Sequence, residues 1–262
     1  MQIADGRKAL ITGGASGFGR EIAARLDAAG AAVAVLDIDA EKVDETVAEL
    51  GDGALGLTTD VRSVAEVRDA VAEVVDRLGG LDTVVVSAGV FHMGPLEEIS
   101  EADWDRVLGV NLKGAFTVAR ATMPTLRASG RGRMVTIGSD GGRRGYPLQL
   151  AYTASKFGVV GLTESLAAEF AAANVTVNCV CPVGCPTTGM GQEVLQRKLE
   201  GGNRTAEDVI RGAAATNPLG RNATEADVAE ATLFFISESG SFLTGVALDV
   251  DGGASLGAVP GI

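Results

Sequence analysis

Three side chains in the stretch 139–156 have the types and spacing needed to move a proton between a bound oxygen and solvent: Ser139, Tyr152 and Lys156. In Ala151-Tyr152-Thr153-Ala154-Ser155-Lys156 the tyrosine and lysine stand at i and i+4, so on a helix both leave from one face. A free phenol ionises near ~10, and a neighbouring ammonium favours the phenolate, so Lys156 is expected to make Tyr152 usable as an acid or base closer to neutral pH. Ser139 closes the run Arg133-Met134-Val135-Thr136-Ile137-Gly138, an alternating strand pattern that would carry its hydroxyl to the C-terminal edge of a sheet. Such a trio can hold one substrate oxygen and exchange its proton.

These groups need a scaffold, and the chain supplies one in alternating segments. Lys8 to Thr12 is a short apolar strand running into Gly13-Gly14-Ala15-Ser16-Gly17-Phe18-Gly19, after which a helical pattern extends from Arg20 to Ala29. Glycines there permit a tight turn and let a pyrophosphate approach the backbone and rest on the first N–H groups of the helix. A second strand, Ala32 to Asp37, ends in an acid at the place where a carboxylate accepts from adenosine ribose hydroxyls and repels a 2′-phosphate. Ile38 follows where an arginine would suit the phosphate, so NAD is expected over NADP.

Further helices are expected near 40–50, 64–78, 102–126, 152–172 and 225–236, with strands near 54–58, 82–89, 175–180 and 246–253. Asp60-Val61 follows the third strand, where Asp60 could reach an adenine amino group. Strands that are apolar nearly throughout and alternate with helices imply a parallel sheet covered on both faces, and no linker divides residues 1–262 into two domains. The stretch 183–218, richer in Gly, Thr and charge and weaker in periodicity, is expected to form a lid.

Composition removes several function classes. The net charge is −12, from 34 acidic and 22 basic residues, with no Lys/Arg-rich run, so nucleic acid is not an expected partner. The N-terminal residues lack a signal pattern and no apolar stretch is long enough to span a bilayer, which points to a cytoplasmic protein without a membrane partner. Cys179, Cys181 and Cys185 are odd in number and clustered, which argues against a disulfide framework. A metal site would need a fourth ligand and the only histidine is His92, so small buried side chains are expected instead.

Taken together, the chain resembles the short-chain dehydrogenase/reductase family in its compact single-domain form. The likeness rests on Thr12 to Gly19, Ser87-Ala88-Gly89, Asn111, Ser139, Tyr152 through Lys156, Pro182 to Thr187 and Asp251-Gly252-Gly253, in the family's order. It implies a Rossmann-like, doubly wound seven-stranded parallel sheet and a homotetramer arranged as a dimer of dimers. It also implies Tyr152 as acid/base, Ser139 orienting the substrate oxygen, Lys156 binding the nicotinamide ribose while lowering the phenol pKa, and Asn111 holding a water in a proton relay.

Cofactor contacts implied by the resemblance fall on Gly13, Ser16, Gly17, Phe18, Gly19, Asp37, Ile38, Asp60, Val61, Ser87, Ala88, Gly89, Tyr152, Lys156, Pro182, Cys185 and Thr187, the last reaching the carboxamide. Two departures stand out. Val86-Ser87 replaces the usual pair of asparagines, and Val183 stands where the family has glycine. Around the substrate, the segments expected are Phe91 to Gly94, Asp140 to Leu150 and the lid. His92 is a candidate hydrogen-bonding group, and Arg143 and Arg144 are either carboxylate binders or a solvated turn.

The implied activity is NAD-dependent hydride transfer with an aliphatic or alicyclic secondary alcohol, a small molecule. The alternatives are a 3-oxoacyl reductase of fatty-acid type and a non-catalytic NAD-binding sensor or scaffold. An epimerase or dehydratase would need a larger substrate domain. The apolar C-terminal run 256–262 is expected to dock on a neighbouring subunit.

Overall fold

A computed structural model describes Ala4 and residues 6–200, 202 and 204–257. Strands that are apolar at successive positions are stable only when both faces are covered, and the chain meets that demand with one parallel sheet. Its strands are β1 (Lys8–Thr12), β2 (Ala32–Asp37), β3 (Leu55–Thr58), β4 (Thr83–Val86), β5 (Arg133–Ile137), β6 (Thr176–Pro182) and β7 (Ala247–Val250). They lie in the order 3-2-1-4-5-6-7, and every neighbouring pair is parallel.

The helices are α1 (Gly17–Ala28), α2 (Ala40–Glu49), α3 (Val64–Leu78), α4 (Glu101–Leu108), α5 (Gly114–Ala128), α6 (Leu150–Phe170), α7 (Gly189–Leu199), α8 (Ala206–Ala215) and α9 (Glu225–Ile236). Alternate strand residues sort onto two cores. Leu10, Leu36, Val84 and Met134 pack with Val67, Val118, Leu126 and Val159 from α3, α5 and α6. Ile11, Val35, Val85 and Val135 pack with Ile22, Leu26, Val228 and Phe235 from α1 and α9. This is the period-two alternation of a strand written across a three-layer sandwich.

The strand order places the site. From β1 the chain moves outward to β2 and β3, then returns to β4 on β1's other side, so the loops after β1 and β4 part and leave a crevice at the carboxyl ends of the strands. The opposite rim is closed by Asp82, which takes Arg131 Nη2 at 2.7 Å and faces the buried Arg7 at 3.8 Å.

Two expectations are corrected. The single helix near 102–126 is α4 and α5 joined through one π-helical turn, Gly109–Lys113. The stretch 183–218 contains two helices that its weak periodicity concealed. Each starts at a threonine: Thr188 accepts from Gly191 N–H at 3.0 Å, and Thr205 forms a reciprocal capping box with Asp208. No helix among the described residues is long and apolar enough to cross a membrane. Residues 258–262, most of the apolar run expected to dock on a neighbour, lie outside the described residues.

Candidate active site

Ser139, Tyr152 and Lys156 come together because β5 lies beside β6 in the sheet and α6 packs against β6 and the turn that follows β5. Ser139 sits two residues past the end of β5, caps a 3-10 turn (Asp140–Gly142) and accepts from Gly141 N–H at 3.1 Å. Tyr152 and Lys156 project from the first turns of α6 and are buried with Ser139. The backbone of Gly141 packs between Ser139 and Tyr152: a Cβ there would meet Ser139 Oγ at 3.4 Å and Tyr152 Cε1 at 3.5 Å. Phe91 packs edge-on to the Tyr152 ring with centroids 4.8 Å apart. Lys156 Nζ donates to the Ile137 carbonyl at 2.8 Å and lies 5.6 Å from the Tyr152 ring centre.

Burial shifts both ionisable groups toward their neutral forms. Burial pushes the Tyr152 phenol up to about 12, the Ser139 hydroxyl pulling the other way, and burial pushes the Lys156 ammonium down to about 8. Desolvation disfavours the charged form of both groups, and the Lys156 ammonium is turned to the Ile137 carbonyl.

Asn111 is buried, 2 % exposed, not on a solvated helix face. The π turn carries its amide inward, where Oδ1 accepts from Val90 N–H at 2.8 Å and Nδ2 donates to the Val90 carbonyl and to Ser155 Oγ, both at 3.0 Å. It therefore ties the loop after β4 to α6. Asn111→Ala strands the Val90 groups, at about 2 kcal/mol of stability. For a chain of this size that lowers the melting temperature by roughly 4–8 °C. A calorimetric melting temperature equal to that of the wild type would contradict this role.

Along the crevice runs a cleft of about 1150 Å³ lined at one end by Gly13, Ser16, Gly17, Phe18, Asp37, Ile38, Asp60 and Val61. Ser87, Ala88, Gly89, Pro182 and Cys185 line its middle, and Ser139, Tyr152 and Lys156 the other end. The residues fit a dinucleotide. Helices α2, α3, α4, α7, α8 and α9 each begin with a side-chain cap, whereas Ser16 makes none at α1 and leaves its first N–H groups open to an anion. Gly13 is in the left-handed region at φ +63, and a Cβ there would stand 2.6 Å from Ala88 Cα. Gly19 is needed for packing, since a Cβ on it would collide with the Gly13 carbonyl. Asp37 accepts from Ala15 N–H at 3.2 Å and from Asp39 N–H at 3.3 Å, which aims its carboxylate over the glycine loop. Ile38 is 63 % exposed beside it.

Some expected residues are placed elsewhere. The Thr187 hydroxyl donates to both carboxylate oxygens of Glu225 at 2.8 Å and does not line the cleft, while its neighbour Thr188 does. His92 faces Asp103, Nε2 to Oδ2 3.8 Å, and is also absent from the cleft wall, to which its segment contributes Phe91. Asp60 lines the cleft with its carboxylate gripped by Arg62 Nε and Nη2 at 2.6–3.0 Å. Arg143 pairs with Asp249 at 3.3 Å, and Arg144 turns into the cleft.

All three cysteines are buried and free. Cys179 and Cys181 Sγ lie 3.6 Å apart under Gly138, where a Cβ would stand 2.6 Å from the first sulfur and 3.0 Å from the second. Asp140 and Tyr146, inside the segment expected around the substrate but not singled out within it, line the cleft next to Ser139.

The family model for short chain dehydrogenases matches residues 7–199. The chain belongs to that family. Among its relatives, 2-(S)-hydroxypropyl-CoM dehydrogenase 3 of Xanthobacter autotrophicus is 36% identical over 93% of this chain and 94% of its own. The structure of 3-ketoacyl-(acyl-carrier-protein) reductase from Brucella melitensis with NADH superposes with a TM-score of 0.87 at 32% identity, covering 96% of this chain and 99% of that one. A variant of actinorhodin polyketide ketoreductase with NADPH gives 0.90 at 37% identity, over 97% and 98%. As a short-chain dehydrogenase, the protein is an oxidoreductase of a family that uses nicotinamide cofactors, and its relatives act on CH–OH groups.

Proposed function

We propose that the protein is an NAD-dependent oxidoreductase interconverting a secondary alcohol, aliphatic or alicyclic, and its ketone. The observation that carries the cofactor choice is Asp37, whose carboxylate lies in the cleft wall with uncharged Ile38 beside it. A carboxylate there accepts from ribose hydroxyls and repels a 2′-phosphate. NAD when bound accepts the hydride from the carbinol carbon. Tyr152 takes the hydroxyl proton, Ser139 holds the oxygen, and Lys156 stands between the phenol and the strand edge to hold the ribose and relay charge. Because burial raises the phenol pKa to about 12, oxidation is expected to accelerate with pH and still to be rising, without a plateau, between pH 8 and 10. Calorimetric titration with NAD and NADP tests the cofactor choice: NAD is expected to bind at least about tenfold more tightly. Equal or reversed affinity would refute it.

A second reading, a 3-oxoacyl reductase, is favoured by the Brucella melitensis neighbour, whose NADH complex removes the cofactor as an argument against it. Reduction of a 3-oxoacyl thioester by NADH that outpaces simple ketones would select it. The sensor reading fits poorly with a buried Tyr152, Lys156 and Ser139 cluster, a costly arrangement without catalytic use.

We further assign a homotetramer in the cytoplasm. Phe116 and Phe157 on α5 and α6 stay exposed, as do Phe234 on α9 and Phe242 just before the edge strand β7, two separate apolar surfaces of the kind a dimer of dimers covers. The three free thiols suit a reducing compartment. Sedimentation equilibrium should give four times the chain mass of 26.6 kDa; a monomer would refute the assembly.

A further inference from the structure

A serine hydroxyl has one proton to give and two lone pairs that accept. In Ser139 one lone pair accepts from Gly141 N–H, and the proton is given to Asp140 Oδ1 at 3.1 Å. Asp140 is held from its far side. Tyr146 donates its O–H to Oδ2, and Arg144 Nη2 stands 3.7 Å from the same oxygen. Arg144 is anchored in turn, Nε donating to the Tyr146 hydroxyl at 2.7 Å and Nη1 to the Ala254 carbonyl at 3.2 Å. A carboxylate only accepts, and a hydrogen bond to it is about twice as strong as one between neutral groups. The proton of Ser139 is therefore drawn away from the place where a substrate oxygen would sit.

An alcohol and its ketone make different demands on that serine. The alcohol brings its own proton and can donate into the remaining lone pair. The ketone oxygen only accepts, and a second donor for it beside Tyr152 would have to be the proton that Asp140 holds. We propose that Asp140 is a positioning residue that keeps Ser139 an acceptor toward the substrate, so that the site binds an alcohol in preference to the matching ketone. This rests on the roles of Ser139 and Tyr152 given above. Among the groups facing the Tyr152 phenol, the Ser139 hydroxyl lowers its pKa, Asp140 and Cys181 raise it, and Lys156 is turned to the Ile137 carbonyl.

The test reads Tyr152 directly, without substrate. The chain has two tyrosines, so in a Tyr146→Phe background the phenolate absorbance reports Tyr152 alone. Asp140→Ala in that background, which leaves Ser139 no acceptor at this position, is expected to lower the Tyr152 pKa by about one unit or more. With Ser139→Ala also present the shift should shrink by half or more, because half of the effect runs through the released Ser139 proton. Asp140→Leu provides the same comparison should alanine disturb the turn. Shifts of equal size with and without Ser139 would show Asp140 acting as a bare charge and would overturn the proposal.

The kinetic counterpart uses cyclohexanone with NADH and cyclohexanol with NAD. Asp140→Ala should lower KM for the ketone about tenfold relative to KM for the alcohol, about the ratio such a hydrogen bond commands. Equal changes in both constants would overturn the proposal. Absence of turnover by the wild type toward both bears on the assigned activity alone, since the titration needs none.

Discussion

Tyr152→Phe should reduce turnover by a factor on the order of 10³ or more while leaving NAD affinity within about threefold of the wild type. The lost oxygen is the group proposed to exchange a proton with the substrate oxygen held by Ser139. The ring itself remains, so the edge-on contact with Phe91 and the packing under Lys156 survive. Steady-state rates, with binding followed separately by calorimetry, check both halves. Retained turnover would remove the proton-transfer assignment, and a parallel loss of NAD binding would show the tyrosine to be structural.

The second large effect concerns the cofactor. Asp37→Ala combined with Ile38→Arg removes a repelling carboxylate and supplies a cation where a 2′-phosphate would lie, and should move the NADP:NAD ratio of kcat/KM by on the order of 10²-fold toward NADP. Part of the change is loss of NAD affinity, because Asp37 also accepts from Ala15 N–H and so braces the glycine loop. Asp37→Asn retains an acceptor for that N–H and separates the two contributions. An unchanged ratio in the double variant would place the ribose elsewhere.

The fold was legible because its strands are buried on both faces and so are apolar nearly throughout, and because segments of helical periodicity separate them. The glycine loop was legible for a steric reason, since Gly13 and Gly19 stand where a Cβ has no room. Asn111 was not. Its π turn has no sequence period of its own, and an asparagine in a helical pattern looks the same whether it faces water or bonds Val90. The lid helices escaped because α7 begins with two glycines, Gly189 and Gly191, which have little helical preference, and the cap at Thr188 becomes visible only in three dimensions.

The catalytic end shows the same boundary. Spacing put Tyr152 and Lys156 on one face of α6, yet it could not report how far each would be desolvated, and desolvation decided both pKa values. Thr187 and His92 carried suitable chemistry in suitable loops, but rotation of a loop by one residue sent Thr187 to Glu225 and presented Thr188 to the cleft instead.

The most direct measurement is NADH formation by absorbance at mildly alkaline pH. Wild-type protein and NAD are offered acyclic, cyclic, aromatic, polyol and 3-hydroxyacyl secondary alcohols in turn, with Tyr152→Phe as the control. Turnover of acyclic or cyclic aliphatic alcohols that disappears in the control is the predicted result. NAD binding without NADH formation from any class would contradict the assigned activity.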